Sequence, residues 1–115
     1  MKILIIVLSI FSMFQHSSDK TIVGTWITLE DNTKIQIVEE KVMLIGKIKS
    51  SDNPNAQVGK LILKDLVKSG NTWTRKIFAV KRKAWIDVEI TSDNNSLNLK
   101  IQYGIVTRNL IWKRV

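Results

Sequence analysis

Ser96-Leu-Asn-Leu-Lys-Ile-Gln-Tyr103 alternates without a break: Leu97, Leu99, Ile101 and Tyr103 share one face, and Asn98, Lys100 and Gln102 share the other. Successive side chains of an extended chain point to opposite faces, so strict alternation over this length marks a half-buried β-strand. The segment before it, Lys83 to Thr91, places Ala84, Ile86, Val88 and Ile90 on its apolar face, and Ser92-Asp-Asn-Asn95 between the two is a polar turn cluster. A turn centred between Asp93 and Asn94 sets Ile90 opposite Leu97, Val88 opposite Leu99, Ile86 opposite Ile101 and Ala84 opposite Tyr103. A one-residue slip would put polar residues against this face, so the pattern selects that register. On the outer face it sets Asp87 opposite Lys100 and Trp85 opposite Gln102.

The same arithmetic extends towards the N-terminus. A turn at Val80-Lys81 sets Ile77 against Ala84 and Trp73 against Val88. A turn at Asp31-Asn32 sets Trp26 against Ile37 and Thr28 against Ile35, and one at Glu39-Glu40 sets Ile37 against Val42 and Ile35 against Leu44. In the final strand Val106, Leu110 and Trp112 share a side. Seven strands are expected, near 21–29, 33–39, 42–49, 71–78, 83–91, 96–103 and 105–114. Residues 50–59, with the only proline, read as a loop, and 60–67 as an eighth strand or one helical turn, the strand preferred. Consecutive hairpins form an antiparallel up-and-down meander, which hides its edges best by closing into a barrel. The expected fold is therefore an all-β, antiparallel up-and-down barrel of seven to eight strands, whose interior is just wide enough for side chains or one small ligand.

The chain has 115 residues, 44% hydrophobic and 24% charged, enough for one globular domain. Residues 1–18 are set apart: Lys2, then a twelve-residue apolar run from Ile3 to Phe14, then Ser17 and Ser18 before the first charged pair, Asp19-Lys20. That is the layout of a secretory signal peptide, and the run is shorter than the roughly 20 residues a membrane-spanning helix needs. The expectation is export to the periplasm or medium, no stable transmembrane anchor, and a single mature domain over 19–115. Loss of the leader would remove Lys2 from 18 basic residues and leave 17 against 10 acidic ones, a net charge near +7. Nucleic acid is the first partner such a charge suggests, but export argues against it and favours anionic lipid head groups, acidic glycans or acidic proteins.

There is no cysteine, and the one histidine, His16, lies in the leader. Thiolate catalysis, histidine triads and the common zinc sites are thereby excluded from the mature chain, and no metal or cofactor is expected. Asp87 and Glu89 are two apart on one strand face beside Trp85, a spacing compatible with paired-carboxylate hydrolysis. Their expected place on a solvated outer wall offers no shelter to raise a carboxyl pKa, so the chain is read as not an enzyme. Glu30-Asp31 and Glu39-Glu40 read as solvated turns without the spacing of a calcium loop.

Val23-Gly-Thr-Trp26 carries the Gly-x-Trp that opens lipocalin-like barrels. With Asn53-Pro54, Leu61-Ile-Leu-Lys-Asp-Leu66, Trp73 to Phe78, and Arg108 with Trp112-Lys-Arg-Val115, it makes residues 21–115 resemble bacterial exported proteins of domain-of-unknown-function family 2147. Two departures stand out. Asp65 occupies a place where the family carries glycine, and Phe78 to Trp85 replaces the family's Tyr-Asp-Pro and the stretch after it. The resemblance implies a lipocalin-like barrel and no particular activity. It also implies that a late arginine, Arg108 or Arg114, covers Trp26 in a structural role.

Two functional readings follow. The leading one is non-catalytic binding of a small amphipathic or anionic molecule in a barrel pocket lined by Trp26, Ile37, Leu44, Trp73, Val88, Leu99, Tyr103, Leu110 and Trp112, with Arg75 or Arg108 as the polar handle. Each arginine alternates with inward apolar residues, so it either fixes an anionic group or lies at the rim or over a tryptophan face. The alternative is a protein- or envelope-surface-interaction module with a filled core, acting through the basic patch Lys76, Lys81, Arg82 and Lys83 at one hairpin tip.

Overall fold

The computed structural model describes residues 21–115. The proposed leader, 1–18, and His16 lie outside the described residues. The described residues form eight antiparallel strands: β1 (Gly24–Ile27), β2 (Lys34–Glu40), β3 (Met43–Ser50), β4 (Leu61–Ser69), β5 (Thr72–Ala79), β6 (Ala84–Asp93), β7 (Ser96–Tyr103) and β8 (Val106–Arg114). Each pairs with its neighbour in sequence, and β1 with β8, giving a closed up-and-down barrel. The strand alternative for 60–67 holds, as β4. No helix among the described residues is long and apolar enough to cross a membrane.

The inward faces assigned from alternation hold in the packed part of the barrel, whereas Val42 lies in an exposed turn, Tyr103 and Val106 are exposed, and the registers differ from those expected. Ile90 pairs with Leu99 and Val88 with Ile101, two residues from the expected partners, because the turn is Asn94-Asn95, with Asn94 at φ 54°. Asp87 consequently faces Gln102, and Glu89 faces Lys100. Trp73 meets Ile90, and Ile77 meets Ile86, because the loop spans residues 80–83. Trp26 meets Ile35 rather than Ile37. There the tight turn does lie at Asp31-Asn32, both at positive φ, but inside a wider loop closed by Thr28 N–H donating to Thr33 O at 2.8 Å. The largest slip is at β2–β3, where Ile37 faces Gly46, Ile35 faces Ile48, and the turn is Lys41-Val42. A two-residue slip keeps every side chain on its face, so apolar patterning cannot detect it.

β1 is much shorter than expected, four residues rather than nine. β1 ends at Ile27, and its pairing with β8 covers only Trp26–Arg114 and Ile27–Lys113. Asn32 Nδ2 donates to Asp52 Oδ2 at 2.8 Å, and Asp52 N–H donates to Asp31 O at 2.9 Å, tying the β1–β2 loop to the 51–60 loop. In the latter, Asn53 Oδ1 accepts from Asn55 N–H at 2.8 Å, an Asx turn around the only proline.

Buried apolar residues from all eight strands fill the interior, and no buried residue among those described is polar or charged. The interruption in β4 shows how alternation is broken to serve that core. Leu63 and Leu66 are both fully buried although three residues apart. The ladder to β5 shifts between Lys64 and Val67, and Asp65 sits there at φ 57°. An extra residue in a strand is a bulge, and it turns both leucines inward. Asp65 holds a left-handed conformation that glycine adopts freely. Asp65→Gly is therefore expected to raise stability by about 0.5 kcal/mol, strain relief narrowly exceeding the added unfolded-state entropy. Asp65→Val should lower it by about 1–2 kcal/mol, because a β-branched side chain is poorly tolerated there. Urea midpoints of the two variants check both signs.

Candidate functional site

The proposed pocket lining divides in two. Trp26, Trp73 and Trp112 are buried, as are Ile37, Leu44, Val88 and Leu99, and they pack into one apolar cluster. Leu110 is half-buried against it. Tyr103, Arg75 and Arg108 are exposed, so the polar handles do not meet the tryptophans around a common space. Arg75 holds an inward register position opposite Val88, yet its Nη1 donates to Thr74 Oγ1 at 3.2 Å on the surface. Arg108 faces Ile101 where the β7–β8 hairpin runs out beyond the packed core.

Arg114, not Arg108, covers Trp26. Its guanidinium lies 4.2 Å from the indole ring centroid and donates to Val23 O at 3.3 Å and Thr21 O at 3.0 Å. Trp26 Nε1–H donates to Ile22 O at 2.9 Å. Gly24, at φ 142°, leaves the space this requires: a Cβ there would lie 2.7 Å from Arg114 Nη1. The Gly-x-Trp segment and the last strand therefore lock the seam of the barrel.

The outer wall holds the chemistry the interior lacks. Phe78 and Trp85 are register partners on β5 and β6, with ring centroids 5.4 Å apart, edge to face. Lys60 caps Phe78 and Lys64 caps Trp85, each ammonium 4.3 Å from the ring centroid. At the hairpin tip Lys81, Arg82 and Lys83 are exposed beside Val80. Arg82 lies 4.0 Å over the Tyr103 ring, fixing the tip against β7. The aromatic faces hold the cations by cation–π attraction while leaving their N–H groups to solvent. Alternation alone could not reveal these contacts, because each sets a cation over a ring on a different strand.

Below the rings, Lys76 pairs with Asp87 across β5–β6, and this pair adjoins an open depression of about 340 Å³ lined also by Thr74, Arg75, Glu89 and Lys100. The Asp87–Lys100 pairing expected from sequence is thus replaced: Lys76 takes Asp87, and Lys100 stands opposite Glu89. Asp87 and Glu89 are both exposed. No group of three or more potential metal ligands occurs among the described residues.

The fold and this outer wall define a small up-and-down β-barrel with a basic, aromatic-lined flank. No protein-family model matches the chain, and no curated protein matches it.

Proposed function

We propose that the protein is an exported, non-catalytic surface-interaction module that docks on an anionic envelope surface through the β5–β6 hairpin and the wall beneath it. The observation that carries this reading is the contrast between an interior filled by apolar side chains and an exterior where Lys60, Lys64 and Arg82 are held over aromatic rings. Cations fixed in this way lose less freedom on binding than free lysines do. The leader-like run at 1–18 supports export, and the glycine place at Asp65 together with the Arg114–Trp26 contact supports kinship with family 2147.

The test is sedimentation of the protein with vesicles of neutral phosphatidylcholine, alone or mixed with phosphatidylglycerol. Each cation near an anionic surface contributes about 1 kcal/mol, so Lys81→Ser/Arg82→Ser/Lys83→Ser should weaken binding to the anionic vesicles by roughly 100-fold. The thermal midpoint should stay within a few degrees of the parent, since all three side chains are exposed. Equal binding by the triple variant, or no preference for the anionic vesicles, rejects the reading. A change in tryptophan emission on titration with fatty acids would instead return the pocket to consideration.

A further inference from the structure

β8 carries an open edge. Val115 N–H donates to Thr25 O at 3.0 Å on the β1 side, whereas Arg114 N–H donates to Asn95 O at 2.7 Å on the β7 side. Backbone groups alternate sides along a strand, so those of Lys113, Ile111, Asn109 and Thr107 point towards β1. β1 pairs with β8 only as far as Lys113. The N–H and C=O groups of Thr107, Asn109 and Ile111 therefore have no strand partner among the described residues, although β8 stays fully laddered to β7.

Such an edge is a template for another strand, and proteins usually blunt one with lysine, proline or a bulge. Between Val106 and Ile111 there is none of these, and Arg108 is the only charge. Exposed apolar side chains collect on the same hairpin: Tyr103, Ile105, Val106 and Ile111, with Ile105 wholly exposed.

We infer that this edge pairs antiparallel with the same edge of a second copy, about a two-fold axis at Asn109. Three neighbouring registers can be compared. Centring on Asn109 sets Thr107 against Ile111 of the other copy, Asn109 against Asn109, and Ile111 against Thr107, so all three edge residues exchange both backbone hydrogen bonds. It also places Arg108 opposite Leu110. Centring on Arg108 stacks two guanidinium groups opposite each other and leaves Ile111 facing a turn residue. Centring on Leu110 brings Thr107 against Lys113, whose edge β1 already occupies. The strand is thus self-complementary in one register, which a second copy supplies without any charge mismatch.

The experiment uses the absence of cysteine from the chain. Across the axis the two Asn109 Cα atoms should lie about 5.5 Å apart, within disulfide reach. The two Thr107 Cα atoms would be four strand positions apart, about 13 Å, and out of reach. Under mild oxidation Asn109→Cys should crosslink to a dimer at least tenfold faster than Thr107→Cys. In sedimentation the parent should show a concentration-dependent dimer. Asn109→Pro should be monomeric with an unchanged far-ultraviolet spectrum, because its missing N–H faces the open edge rather than β7. A parent that is monomeric at hundreds of micromolar, or equal crosslinking of the two cysteine variants, overturns the inference. If Asn109→Pro fails to fold, the cysteine pair alone decides.

Discussion

Trp26→Ala is expected to remove about 3–5 kcal/mol of stability, the range for deleting a buried tryptophan. A domain of this size holds about 5–15 kcal/mol in all, so the variant should be partly unfolded near physiological temperature. Three effects combine at this position. The cavity is large, because Trp26 is fully buried. The Arg114 guanidinium loses the ring beneath it, a contact worth about 0.5–2 kcal/mol. The carbonyl of Ile22 loses the indole N–H. All three lie on or just before the two-pair ladder that closes β1 on β8, so damage is concentrated where the barrel has least redundancy. Trp26→Phe separates the contributions: it keeps most of the packing and loses the hydrogen bond, for about 1–3 kcal/mol. Urea titration gives the totals, and amide exchange at Ile27 and Lys113 should accelerate more than exchange in β5–β6. A cost below about 1 kcal/mol for Trp26→Ala would mean that the seam is held elsewhere.

The seam also shows what the sequence makes legible. Alternation assigns an inward face to Ile35, Ile37, Val88, Ile90, Leu97 and Leu99, and all six are buried in the core cluster. It fails on register because the penalty for misplacing a hydrophobic face is identical for slips of zero, two or four residues. What chooses among them is turn geometry, such as the positive φ of Asn94 and Lys41, and contacts between distant strands. The same limit applies at the surface. The basic tip is visible as Lys81-Arg-Lys83, but the cation–aromatic contacts need Lys60, Lys64 and Tyr103, which the pairing of β4 with β5 and of β6 with β7 brings beside the β5–β6 hairpin. Arg75 misled for another reason: its backbone faces inward opposite Val88, but its long side chain escapes to Thr74. An arginine's parity fixes where its Cβ starts, not where its charge ends.

Gly46→Val tests whether the interior is as full as the proposed function requires. Gly46 lies on the inward face of β3, between Ile37 on β2 and Leu63 on β4. A Cβ there would lie 2.9 Å from Leu63 Cδ1, 3.1 Å from Leu63 Cβ and 3.2 Å from Ile35 Cγ2. Its φ lies outside the left-handed region, so intrinsic strand preference favours valine, by up to about 1 kcal/mol. Crowding opposes this. Three extra carbons in a packed core cost about 1–3 kcal/mol, and here two of the near atoms belong to stiff positions close to the backbone, which sets the expected net loss near 2 kcal/mol. The pairing with Leu63 sharpens the test. Leu63→Ala alone should cost about 2–5 kcal/mol, and combined with Gly46→Val it should cost at least about 1 kcal/mol less than the sum, because each change fills or vacates the other's space. Strict additivity would show that the two side chains do not compete for one volume. A stable Gly46→Val protein would mean that the barrel has unfilled room near its middle, and the case for an exterior binding surface over an internal pocket would lose its physical basis.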